Sequence, residues 1–98
     1  MAKLTKTDEF LERLGIEMDH IKAGLMELKA KGRKLGLEAR LDYEKGLGSI
    51  EKMQKDLKAR MENWAEVGGK AGADVKKGLE QAAKDIKKAL DAAASRLK

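Results

Sequence analysis

Residues 11–39 read LERLGIEMDHIKAGLMELKAKGRKLGLEA. Stepping 3, 4, 3, 4 from Leu11 gives Leu14, Met18, Ile21, Leu25, Leu28, Gly32, Leu35 and Ala39. That is the a/d spacing of a coiled coil, with Glu, Lys, Arg and Asp between the steps. Period-two alternation is absent, so the chain reads as all-α. No proline interrupts the run. The spacing therefore predicts one long helix over residues 8–67.

Beyond Ala39 the frame slips. A strict continuation would put Asp42, Gly46 and Ser49 in the seam. A four-residue shift gives Tyr43, Ile50, Leu57 and Trp64 at sevenfold spacing, with Leu47, Met53, Met61 and Val67 at companion positions. Such a stutter unwinds a supercoil locally without ending the helix. Gly46-Leu47-Gly48-Ser49 is the weakest point, because each glycine costs about 1 kcal/mol relative to alanine inside a helix. A break at 46–49, with Ser49 capping a new helix, is the alternative and gives a three-helix bundle.

Val67-Gly68-Gly69-Lys70-Ala71-Gly72 is the sharpest boundary, and 68–72 reads as a glycine turn. Residues 73–97 then form a shorter helix. Its stripe is Val75, Leu79, Ala82, Ile86, Ala89 and Ala93, extended by Leu90 and Leu97. At the N-terminus Thr5 or Thr7 suits a cap, with Asp8 and Glu9 in the first turn. Glu9–Arg13, Glu27–Lys31, Glu51–Lys55 and Asp56–Arg60 have the favourable acid-first i,i+4 order.

Helix lengths carry the expectation further. Residues 8–67 would span roughly 90 Å and residues 73–97 about 37 Å. The short arm would cover Tyr43, Ile50, Leu57 and Trp64 with Leu79, Ile86 and Leu90, making a hairpin core. It would not reach Leu11, Leu14, Met18, Ile21, Leu25, Leu28 and Leu35. That uncovered seam predicts a second copy: a coiled-coil hairpin in an extended homodimer or higher oligomer.

Composition narrows the function. The 98 residues, read as a single domain over 1–98, hold one Phe, one Tyr and one Trp, and charged residues make up 40%. With no cysteine, disulfides, thiolate metal sites and cysteine nucleophiles are excluded. No secretory h-region follows Met1, and no run approaches the roughly 20 apolar residues of a membrane span. A cytoplasmic protein is the expectation.

No catalytic, cofactor-binding or metal constellation stands out, and the chain reads as non-enzymatic. His20 is the only histidine, with Glu17 and Asp19 nearby, and sits on the flank of the seam. Ser49 and Ser95 lie in no G-x-S-x-G elbow. The Gly68–Gly72 stretch lacks phosphate-loop order.

The net charge is +5. Lys29, Lys31, Arg33 and Lys34 form the densest basic cluster, and Lys76, Lys77, Lys84, Lys87 and Lys88 flank the last helix. Non-specific nucleic-acid binding is the weaker alternative, since the interleaved aromatics of single-strand binders are missing. A peripheral membrane-surface or lipid-binding helix is another, on the lysine-edged stripe of the last helix.

Ala39-Arg40-Leu41-Asp42-Tyr43-Glu44-Lys45, Met53-Gln54-Lys55-Asp56-Leu57-Lys58, Trp64, Asp74-Val75-Lys76-Lys77-Gly78-Leu79-Glu80 and Lys87-Lys88-Ala89-Leu90-Asp91-Ala92-Ala93-Ala94-Ser95-Arg96-Leu97 carry a resemblance. Over residues 33–98 the chain resembles a group of small, uncharacterised bacterial coiled-coil proteins, some loosely linked to stress. Its most specific piece is the ending from Ala89 to Leu97. The departure lies at Gly46 and Gly48, where that group continues with polar helix formers. The resemblance implies a helical hairpin and no catalytic residues. The expected function is a self-associating scaffold, adaptor or stress-related accessory role, with itself and an unidentified protein as partners.

Overall fold

The computed structural model describes residues 6–66 and 72–97. They form three α-helices: α1 (Lys6–Gly32), α2 (Leu37–Glu66) and α3 (Gly72–Ser95). Each helix packs on both others. The bundle measures 52 × 25 × 19 Å, far short of the roughly 90 Å that a continuous helix over residues 8–67 would need.

The expected long helix is thus two helices, and the chain reverses at residues 33–36 rather than at 46–49. The last turn of α1 tightens: the Lys34 amide donates to the Lys31 carbonyl and the Leu35 amide to the Gly32 carbonyl. These three-residue bonds use up carbonyls that a helix end leaves unpaired. Gly36 then opens α2, its carbonyl accepting from the Arg40 amide at 2.8 Å. Charge agrees with these ends. Asp8 and Glu9 lie in the first turn of α1, Lys29 and Lys31 in its last, and Glu38 and Asp74 in the first turns of α2 and α3. Gly46, Gly48 and Ser49 pass inside α2 without a break. The frame slip near Ala39 is the signature of this reversal, because a new helix starts in its own phase. Of the expected turn at 68–72, residues 68–71 lie outside the described residues, as do Thr5 and Val67; Gly72 belongs instead to α3 as its first residue.

Reversal at 33–36 changes what the seam does. Leu14, Met18, Ile21, Leu25 and Leu28 are buried within their own chain, and Leu11 and Leu35 pack partly buried against the same core. No second copy is needed to cover them. The expected hairpin core joins them: Tyr43, Ile50, Leu57, Trp64, Leu79 and Ile86 are buried, and Leu90 is partly so. The core is wholly apolar, with no buried polar or charged residue among those described.

Aromatic contacts close both ends. The Phe10 and Trp64 rings meet edge to face at 5.7 Å between centroids, and the Lys76 ammonium stands 5.1 Å from the Phe10 ring centre. At the other end the Tyr43 hydroxyl donates to the Ala93 carbonyl at 2.9 Å, and the Arg96 guanidinium lies over the Tyr43 ring. One ion pair joins each pair of helices among the described residues: Lys29–Glu51, Glu17–Lys87 at 3.2 Å, and Asp42–Arg96 at 2.8 Å. Such exposed pairs contribute at most about 1 kcal/mol each and set register more than stability. Glu51 therefore bridges to α1 rather than to Lys55, whereas Glu27–Lys31 forms as expected at 3.0 Å.

Two glycines predict opposite responses. A Cβ at Gly48 would meet nothing within 4 Å, so Gly48→Ala stabilises by up to about 1 kcal/mol through helix propensity alone. A Cβ at Gly32 would come to 2.8 Å from Cδ2 of the Tyr43 ring. That ring is pinned by its bond to Ala93, so Gly32→Ala destabilises by about 1–3 kcal/mol. Urea titrations of both variants check the difference in sign.

Tyr43 also makes the fold sensitive to alkali. Burial pushes its hydroxyl above the ordinary tyrosine value, while the charges of Arg96 and then Lys31 pull it partly back. The unfolded chain ionises first, so the hydroxyl's contribution is complete below pH about 10 and drains away as pH rises towards the native value. Tyr43→Phe lacks this component. The stability gap between wild type and Tyr43→Phe should therefore narrow in denaturant titrations carried above pH about 10.

Candidate contact surface

The chemistry-bearing side chains are scattered. His20 is exposed on α1, and Ser49 and Ser95 are exposed on α2 and α3. Among the described residues no group of three or more His, Asp or Glu is placed to hold a metal. An open groove of about 430 Å³ lies between α1 and α2, with Met18 and Met61 on its apolar side and Lys22, Lys55 and Lys58 on its rim. The Gln54 amide reaches the Met18 carbonyl at 3.5 Å beside it. A groove of this kind offers contact area; it does not converge polar groups on one point.

The basic cluster is partly spent inside the chain. Lys29 pairs with Glu51 and Lys31 with Glu27, leaving Arg33 and Lys34 at the reversal as its outward cations. On α3, Lys87 is held by Glu17 and Lys76 by the Phe10 ring. The apolar stripe of α3 is turned inward: Leu79, Ala83, Ile86 and Ala93 are buried. Offering it to a lipid surface would require α3 to leave the bundle. No helix among the described residues is long and apolar enough to cross a membrane.

What remains outward is apolar in four places. Ile16 is 51% exposed, Met26 63%, Leu37 65% and Leu41 55%. Leu37 and Leu41 stand one turn apart on α2, just after the reversal. Ile16 and Met26 lie on α1, Met26 at the edge of the groove that Leu25 shares with Glu51, Gln54 and Lys55 of α2. The sequence contains a signal for each pair, an i,i+4 leucine step and a second 3–4 line along α1. The stronger inner seam masks both. Single exposed apolar residues are ordinary on a protein surface; pairs that share a helical face are a contact feature.

No protein-family model, no curated protein and no solved structure matches this chain.

Proposed function

We propose that this chain is a non-enzymatic association module, a cytoplasmic scaffold, adaptor or stress-related accessory protein that works by presenting a contact surface, with itself as the first partner. One observation carries the reading. Four large apolar side chains, Ile16, Met26, Leu37 and Leu41, stay more than half exposed although a complete apolar core lies directly beneath them. They fall in two helical-face pairs, each suited to packing on another helix. The accessory role follows the resemblance read from residues 33–98, which is part of this proposal and supplies no chemistry. Nucleic-acid binding draws less support, because two of the four clustered cations already face acids of the same chain.

Sedimentation velocity from low-micromolar to near-millimolar protein tests the proposal. Mass rising with concentration above the 10.8 kDa of one chain supports it. A monomer at every concentration and salt contradicts it.

A further inference from the structure

The outer face of α1 has its own periodicity. Glu12, Ile16, Asp19, Ala23, Met26 and Ala30 follow a 4–3–4–3–4 spacing, and all six are exposed. This line lies opposite the buried line from Leu14 to Gly32, since half a helical turn separates the two sets. Ile16, Ala23, Met26 and Ala30 make it apolar and shallow enough for a second helix to approach closely.

The unpaired charges along this face are polar from end to end, Glu27 in the second half being held by Lys31. Glu9, Glu12 and Asp19 occupy the first half and Lys22 the second, with Arg33 one residue past the end of α1. None of these five joins an ion pair within the chain among the described residues. They are exposed charges that folding leaves unmatched.

We propose that this face binds a second copy of the chain, α1 against α1 and antiparallel, about a two-fold axis at the level of Ile21. The proposal rests on the self-association reading above and names its surface. In that register Ile16 meets the partner's Met26, Asp19 meets the partner's Lys22, and Glu9 and Glu12 flank the partner's Arg33. Two-fold symmetry repeats every contact, as an isologous interface requires. A parallel arrangement would set Glu9 beside its own copy and Arg33 beside its own copy, so like-charge repulsion selects the antiparallel one. The shared stripe from residue 12 to 30 is about 27 Å long. One helix pair of that length falls at the small end of specific interfaces, so the dimer is a micromolar, exchanging one.

Charge reversal in two complementary variants tests this. Glu9→Lys/Glu12→Lys/Asp19→Lys makes all five of these charges basic, and Lys22→Glu/Arg33→Glu makes all five acidic. Each variant alone should lose at least tenfold in dimer affinity by sedimentation, with helicity by circular dichroism confirming that it is folded. Mixed one to one, they should form a heterodimer, because every facing pair is again of opposite sign. Leu37→Glu/Leu41→Glu should dimerise like wild type. A wild-type dimer that withstands both reversals, or that Leu37→Glu/Leu41→Glu dissolves, overturns this interface and leaves self-association standing. Failure of the mixture to associate also overturns it. A wild-type monomer at every concentration overturns both proposals.

Discussion

Ile21→Ala lowers the free energy of unfolding by about 2–5 kcal/mol, and by the same amount in dilute and in concentrated protein. Ile21 is 2% exposed, in the middle of the row that α1 turns to its own chain. Truncation removes the transfer energy of three carbons and leaves a void that a packed bundle fills only in part. Against the roughly 5–15 kcal/mol that holds a domain together, this is a large fraction. Its independence of concentration is the discriminating part. A seam buried between chains would make stability rise with concentration by mass action. A seam buried within one chain does not. Urea denaturation of wild type and Ile21→Ala at two concentrations, both below those at which the outer-face dimer forms, reads both quantities.

Trp64→Ala should cost about 3–5 kcal/mol. Trp64 is 4% exposed and meets Phe10 edge to face. The pair fastens the end of α2 to the start of α1, and Lys76 brings in the start of α3 through the Phe10 ring. Removing the indole takes away the largest side chain of the core together with the edge-to-face contact, itself worth about 0.5–1.5 kcal/mol. Trp64→Phe keeps much of the area and should recover more than half of the loss. Thermal unfolding followed by circular dichroism orders the three proteins as wild type, Trp64→Phe, Trp64→Ala. Equal melting of all three would mean that this end of the bundle is not cooperative with the rest.

The helical class was legible from the 3–4 spacing, and so were nearly all of the buried residues. The row from Leu14 to Leu28 and the row from Tyr43 to Trp64 are both inside, as periodicity predicts for any arrangement that covers them. What covers them was not legible. Spacing states that a face is apolar and is silent on whether the covering helix comes from the same chain. The reversal at 33–36 is hidden in the sequence for a physical reason. Gly32 and Leu35 fit the running frame, so the segment looked like one more heptad. Gly46 and Gly48 looked weaker, yet Leu47 and Ile50 beside them bury almost completely and hold α2 straight against its local propensity. The better signal was the frame slip itself, which coincides with a glycine at each end of Arg33-Lys34-Leu35. Glycine at position 32 serves packing as well, since the Tyr43 ring occupies the space of its missing side chain.

Outward features were legible only after the fold was known. Ile16 and Met26 are indistinguishable in sequence from neighbours that turn inward. Their exposure follows once α1 has both α2 and α3 on its other side. The same applies to Lys29 and Lys31, whose positive charge looked available until Glu51 and Glu27 were placed beside them.

The chain's reversal between α1 and α2 is the claim on which everything else depends, and one distance decides it. Asp19 and Glu62 line the same groove between these helices. The native chain has no cysteine, so Asp19→Cys/Glu62→Cys can be spin-labelled at both sites and diluted with unlabelled protein to suppress contacts between chains. The bundle predicts a separation within about 20 Å, because neighbouring helix axes lie roughly 8–10 Å apart. A continuous helix from 19 to 62 would place the labels about 64 Å apart, and that result would contradict the account.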